Sequence, residues 1–244
     1  MSSQNNINTI GVILAAGMGN RLGDLTKNSP KPLLEVGGKS LIEHAIEFVK
    51  NIGINDIIVV GGYCFNQLER KVREIDPNIK IVENQNFQYQ NLLSLAEALP
   101  LVKDKDLLVC NADYVFKKTS AQAVSKNLNG IAVYSSFDLS GDDEDVMKVK
   151  VDQEKNMTEM SKTLTDFEAI YTGIFYFAKE YLEELNKVTM EILEADKEKA
   201  TVEWLFKEFT KNGYKIKTAD IGPADWFEID TPEELEAARQ VLGN

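Results

Sequence analysis

The stretch Gly11-Val-Ile-Leu-Ala-Ala-Gly-Met-Gly-Asn-Arg-Leu22, with Pro30-Lys31-Pro32 after it, constrains this chain most. Val12, Ile13 and Leu14 form a short apolar run of the length that suits a buried strand. The run breaks into Ala15, Ala16, Gly17, Met18 and Gly19. Small residues let backbone approach a ligand closely, and glycine permits conformations that a Cβ forbids. Successive backbone N–H groups in such a turn can form an anion nest. Arg21 follows with a fixed fork of donors, and Lys31 adds a mobile point charge. Strand, small-residue loop, Arg and Lys together describe a triphosphate grip. No Gly-Lys-Ser/Thr follows the glycines, so this is not a mononucleotide P-loop. Leu22 breaks the G-x-G-x-x-G pattern of a dinucleotide site. The glycines alone would read as a structural turn.

The rest of the first half alternates strand and helix. Ser40 and Glu43 form a capping box ahead of Leu41, Ile42, Ala45, Ile46 and Val49, and Gly53 ends that helix. His44 lies inside it and reads as a packing or surface residue. Ile57–Val60 is a second buried strand ending in Gly61-Gly62-Tyr63, residues 66–75 a helix, and residues 79–82 a third strand. The order implies a parallel sheet with right-handed crossovers, whose ligands gather at the carboxyl ends of the strands. The amide-rich stretch from Asn84 to Asn91 falls at such an end. It reads either as a polar surface loop or as a set of groups able to read a base edge. A helix is predicted over residues 92–101. The fourth strand, Asp106–Cys110, runs into Asn111-Ala112-Asp113-Tyr114. Asp113 reads as a helix cap or as a ligand to a hard cation beside a triphosphate.

In the second half, a helix over residues 120–127 and a strand over 131–135 precede the acidic run Gly141-Asp-Asp-Glu-Asp145, read as a solvated turn. Strands are predicted over 146–151, 157–160, 169–177 and 215–219, and helices over 179–193 and 202–212. Gly173 marks a place where a ligand comes close. Thr231-Pro232-Glu233-Glu234 opens the last helix with an N-cap, a proline at the first turn and two acids. With no repeat, low-complexity tract or linker, residues 1–244 are expected to form one domain. Its first half covers about 9–116 and its second about 130–230. The expected class is α/β: a Rossmann-like, mostly parallel sheet flanked by helices, with a small β subregion in the second half.

The net charge of −12, without a Lys/Arg cluster, argues against a nucleic-acid groove. It confines positive field to a few side chains and favours a divalent metal beside an anionic substrate. No apolar run approaches the ~18 residues of a membrane span. The polar start at 1–8 lacks the features of a secretory signal. Cys64 and Cys110 make no disulfide framework and read as reduced thiols, so a cytoplasmic location is expected.

Leu14-Ala15-Ala16-Gly17-Met18-Gly19-Asn20-Arg21-Leu22, Leu25-Thr26 and Pro30-Lys31-Pro32-Leu33 resemble the signature of the sugar-phosphate nucleotidyltransferase family. The resemblance extends to Asp113 and to Trp226-Phe-Glu-Ile-Asp230-Thr-Pro-Glu-Glu-Leu235. It implies that the first loop wraps an NTP, that Arg21 holds the β- and γ-phosphates, and that Lys31 contacts the reacting phosphates. It implies Mg²⁺ on Asp113 and Asp230, and an acceptor segment made of Lys162, Tyr171 and Gly173, with Lys162 on the acceptor phosphate. The resemblance implies an NTP-binding half over about 9–116 and an acceptor-binding half, with a small acceptor-binding β subregion, over about 130–230; the implied nucleotide site comprises Leu14, Ala15, Ala16, Gly17, Gly19, Gly62, Tyr63, Asn84, Asn91 and Ala112. Asn91-Leu-Leu-Ser-Leu95 looks like the Asn-x-x-Ser-Leu segment of the small cytidylyltransferases acting on phosphocholine, 2-aminoethylphosphonate or inositol-1-phosphate. The implied reaction is transfer of CMP from CTP to such an acceptor, with release of pyrophosphate. A UTP- or dTTP-dependent sugar-1-phosphate enzyme and a non-catalytic nucleotide-binding module stay open. So does a homodimer.

Overall fold

The computed structural model describes residues 8–139, 145–222 and 226–243. Its centre is β1 (Thr9–Ala15), buried along its whole length. A loop with two 3-10 turns leads to the hairpin of β2 (Glu35–Val36) and β3 (Lys39–Ser40), then α1 (Leu41–Ile52). The Ser40–Glu43 capping box and the left-handed Gly53 bound α1, as their residue types require. Then come β4 (Asp56–Gly61), α2 (Phe65–Ile75), β5 (Lys80–Glu83), α3 (Asn91–Ala98) and β6 (Asp106–Asn111). The run β5–β4–β1–β6 is parallel throughout, so the loops after these strands share one sheet edge.

The second half continues the same sheet. It comprises β7 (Tyr114–Phe116), α4 (Lys118–Ser125), β8 (Ile131–Ser136), β9 (Lys148–Val151), β10 (Met157–Ser161) and β11 (Ala169–Phe177). After these come α5 (Leu182–Asp196), α6 (Val202–Lys211), β12 (Lys217–Asp220), β13 (Trp226–Glu228) and α7 (Pro232–Leu242). Strand β11 pairs antiparallel with β6, β8 and β9, and β10 closes the edge as a hairpin with β9. Helices cover both faces. Because side chains alternate along a strand, Ile10, Val12 and Leu14 pack with α3, α5 and α6, while Ile13 and Ala15 pack with α1, α2 and α4.

Some expectations shift. The helix expected over 179–193 is a 3-10 turn (Lys179–Tyr181) followed by α5. The strand expected from 146 begins at Lys148. The ribbon of β7 and β13 was not foreseen, and neither was the β2–β3 hairpin. Residues 141–144 of the acidic run lie outside the described residues. His44 packs, its ring Nε2 2.8 Å from the Val36 carbonyl. Among the described residues, no helix is long and apolar enough to cross a membrane.

Candidate active site

The loop after β1 is pinned from within. The Gly19 carbonyl accepts the Leu22 N–H at 3.0 Å and the Thr26 hydroxyl at 2.9 Å. Gly19 has φ +67°, and a Cβ there would sit 2.9 Å from the Lys31 Cβ. A side chain would therefore strain the loop and push Lys31 away. Pro30 and Pro32 hold Lys31 in a single 3-10 turn against this loop.

Asp113 and Asp230 reach the site through the small ribbon. β7 and β13 pair antiparallel, and the Ile229 N–H donates to the Asp113 carbonyl at 2.9 Å. That ladder sets the two carboxylates side by side. Asp230 is then fixed by the cap of α7: Glu234 accepts the backbone N–H of Asp230 at 2.6 Å and of Thr231 at 2.7 Å.

The ammonium of Lys31 lies between the two carboxylates, 2.9 Å from Asp113 and hydrogen-bonded to Asp230. Lys31 is 6% exposed. Burial alone would pull its pKa down; Asp113 and Asp230 outweigh it and hold the pKa above the ordinary lysine value. Arg21 bonds Asp230 and, at 2.6 Å, Asp145. Asp145 in turn accepts from Lys162 at 2.7 Å. The cations suited to phosphate are thus neutralised by carboxylates. One oxygen of Asp113, Oδ1, is buried and has no hydrogen-bond partner among the described residues. A buried, unpartnered carboxylate oxygen beside a second carboxylate is a donor set that suits a hard cation. Asp113 and Asp230, with phosphate oxygens completing the shell, fit Mg²⁺.

These groups line a cavity of about 370 Å³ with Leu14, Ala15, Gly17, Gly19 and Ala112. An adjoining cavity of about 200 Å³ is lined by Ala16, Phe87, Asn91 and Ser94. Asn84 itself is buried behind this second cavity. Its Oδ1 accepts the Asn86 N–H at 2.8 Å and its amide donates to Ser94 Oγ at 3.0 Å. Both ends of the Asn84 amide are spent inside the protein, so Asn84 orients Ser94. Asn91 lines the cavity while its Oδ1 accepts the Val202 N–H at 3.0 Å, tying α3 to α6. Gly62 and Tyr63 back the loop: the Tyr63 N–H donates to the Ala16 carbonyl at 3.1 Å. Of the residues expected at the acceptor, Lys162 lines a third cavity. Tyr171 is buried edge-on to Phe206. Gly173, at φ +70°, makes room for Tyr114: a Cβ there would lie 2.7 Å from its ring.

Sequence reasoning missed Glu228, Asp145 and Ser94. Burial, then the nearby charges of Asp113 and Asp230, push the Glu228 carboxyl up to about 8. Its signal was available, since Glu228 and Asp230 stand two apart in an extended segment and so share a face.

Comparison with known proteins gives the chain its relatives. The chain is 26% identical over 239 residues to a bifunctional IPC transferase and DIPP synthase of Aquifex aeolicus, covering 95% of this chain and 51% of that protein. It is 36% identical over 151 residues to a choline-phosphate cytidylyltransferase of Streptococcus pneumoniae, covering 58% of this chain and 63% of the relative. The chain therefore spans about half to just under two thirds of the length of these two relatives. The structure of an inositol-1-phosphate CTP transferase from T. maritima superposes with a TM-score of 0.79 at 21% identity, covering 97% of this chain and 98% of the other. That likeness carries the fold: a mostly parallel central sheet flanked by helices. The MobA-like NTP transferase domain matches residues 11–147, which include the first loop, Lys31, Asp113 and the strands that carry them, and the chain belongs to that family.

Proposed function

We propose that the protein transfers CMP from CTP to a small phosphorylated or phosphonylated alcohol or amine and releases pyrophosphate. The observation that carries this reading is the Lys31 ammonium held between Asp113 and Asp230 against the small-residue loop. The names of the choline-phosphate cytidylyltransferase and of the inositol-1-phosphate CTP transferase support the base and the acceptor class.

In this mechanism the triphosphate enters along the first loop. Arg21 and Lys31 exchange their carboxylate partners for phosphate oxygens, Arg21 at the leaving pyrophosphate and Lys31 at the α-phosphate. Asp113 and Asp230 would hold Mg²⁺, which supplies charge neutralisation on the phosphates when bound. Lys162 orients the acceptor. An acceptor oxygen attacks the α-phosphorus, and the bond from that phosphorus to the bridging oxygen of pyrophosphate breaks. The acceptor is already an anion near neutral pH, so no general base is required. Positioning and charge stabilisation carry the rate. The base occupies the adjoining cavity, where Ser94 is held by Asn84.

Pyrophosphate release from CTP, UTP, dTTP, ATP and GTP with a panel of phosphorylated alcohols and amines tests this reading. CTP is expected to be the best donor. A faster rate with UTP or dTTP would replace the cytidylyl assignment with the sugar-1-phosphate alternative. No release with any NTP would leave a nucleotide-binding module.

A further inference from the structure

The loop after β1 has two limbs, and they are held differently. The near limb closes on itself, because the Gly19 carbonyl takes both the Leu22 N–H and the Thr26 hydroxyl. The far limb runs from Lys27 to Ser29 and leads straight into Pro30 and Lys31, with Lys27 and Asn28 exposed. Among the described residues, its backbone makes no hydrogen bond to the rest of the loop. Two side chains from outside the loop hold it instead. The Tyr63 hydroxyl donates to the Lys27 carbonyl at 2.5 Å, and the Gln67 amide donates to the Asn28 carbonyl at 3.0 Å. Two successive carbonyls are thus taken by the turn after β4 and by the first turn of α2.

Tyr63 also reaches the start of the loop. Its backbone N–H donates to the Ala16 carbonyl at 3.1 Å, and its ring lies 6.0 Å from that of Phe87. Ala16 and Phe87 both line the smaller cavity, where the base is placed. One residue therefore spans the loop from Ala16 to Lys27. Neither Tyr63 nor Gln67 lines any of the three cavities described above. Nor does the core need Gln67: α2 turns Leu68 and Val72 inward and leaves Gln67 exposed. The polar ends of these two side chains serve the loop.

A limb without internal bonds loses conformational freedom when a ligand orders it, and that cost is subtracted from affinity. Holding the limb beforehand removes the cost. Asn28 stands three residues before Lys31, so fixing its carbonyl also limits the positions that Lys31 can take.

We propose that Tyr63 and Gln67 are positioning residues that pre-organise the far limb of this loop for a triphosphate, Tyr63 acting through the loop and not by contact with the base. The identity of the ligand rests on the transfer reading above.

Limited trypsin digestion and ligand binding test this on the folded chain. The Lys27–Asn28 bond is itself a trypsin site, whereas Pro32 shields the bond after Lys31. A protease needs the segment free to extend. Tyr63→Phe keeps the ring and removes only the hydroxyl; Gln67→Ala removes the second bond. In each variant, mass spectrometry should find the Lys27–Asn28 bond cut about threefold to tenfold faster, the factor that one hydrogen bond is worth. Calorimetry with Mg²⁺ present should show inorganic tripolyphosphate and CTP both bound more weakly by a similar factor. In turnover the loss should fall on KM for CTP more than on kcat, because the loop grips ground state and transition state alike. Unchanged cleavage would overturn the assignment, and so would faster cleavage with unchanged binding of both ligands. A loss for CTP that is absent for tripolyphosphate would place the Tyr63 hydroxyl at the nucleoside and overturn it too. No binding of either ligand by the unaltered protein would overturn both the assignment and the transfer reading. Gln67→Ala decides the matter if Tyr63→Phe fails to fold. Tripolyphosphate binding that depends on Tyr63 and Gln67, with no pyrophosphate release from any NTP, keeps the two positioning residues and removes the transfer reading.

Discussion

At the scale of single residues, Asp230 carries the most connections. It accepts from both Lys31 and Arg21, and it is one of the two carboxylates proposed for Mg²⁺. Asp230→Asn keeps the side-chain volume and leaves Lys31 bonded to Asp113. We predict a drop in pyrophosphate formation of about 10²-fold or more, with an unchanged circular dichroism spectrum. Turnover near that of the unaltered protein would remove Asp230 from the reaction. Gly173 tests packing instead. Its φ of +70° and the 2.7 Å approach of the Tyr114 ring leave no space for a methyl group. Gly173→Ala should cost about 1–3 kcal/mol in urea unfolding; an unchanged midpoint would show that Tyr114 yields freely. The two thiols should differ sharply. Burial pushes the Cys110 thiol up to about 12, whereas Cys64 is partly exposed. A raised pKa disfavours the reactive thiolate, so a thiol reagent at pH 8 should label Cys64 in the native protein and reach Cys110 only after unfolding. Labelling of both at one rate would contradict the burial of Cys110.

At the scale of elements, the cap of α7 does more than start a helix. One carboxylate oxygen of Glu234 takes both the Thr231 and the Asp230 N–H, so the cap and the candidate metal ligand are one construction. Glu234→Ala should destabilise the fold by about 1 kcal/mol. It should also raise the Mg²⁺ concentration needed for half-maximal rate, because Asp230 loses the bond that holds its backbone. A loss of stability with an unaltered Mg²⁺ requirement would confine Glu234 to the helix. Such caps are local, which is why they were legible in sequence: Ser40 with Glu43 and Thr231 with Glu234 sit three residues apart. The apolar runs of β1, β4 and β6 were legible for the same reason. The β7–β13 ribbon was not, because three-residue strands leave too short a pattern and their pairing joins distant parts of the chain. The meeting of Asp113 and Asp230 was therefore available only through family resemblance. The amide-rich stretch misled in a different way. Asn84 carries the donors and acceptors a base reader needs, but local bonding consumes both ends, and Ser94 faces the cavity in its place.

At the scale of the whole molecule, the half proposed to bind the nucleotide and the half proposed to bind the acceptor are built on one sheet. Strand β11 is buried over all nine residues and pairs with β6 of the first half and with β8 and β9 of the second. Its Phe175 and Phe177 pack in the same cluster as Val12, Leu14 and Val60 from the first half and Phe206 and Phe209 from α6. Removing either half would strip the cover from β6 or β11 and expose that cluster to water, at roughly 25 cal/mol per Å² of apolar surface. Both core clusters draw residues from both halves, and the chain should unfold as one domain. The surface ion pair of Arg21 with Asp145 that also joins the halves adds little, because both side chains are about half exposed. Urea unfolding followed by far-ultraviolet circular dichroism and by tryptophan fluorescence should therefore give coincident transitions. The two tryptophans report on different regions, Trp204 from α6 and Trp226 from the ribbon beside the candidate active site. High salt should shift the midpoint little, since burial rather than charge joins the halves. Two separated transitions, or a midpoint that collapses with salt, would show two units held together by their ion pairs and would contradict the single-domain reading.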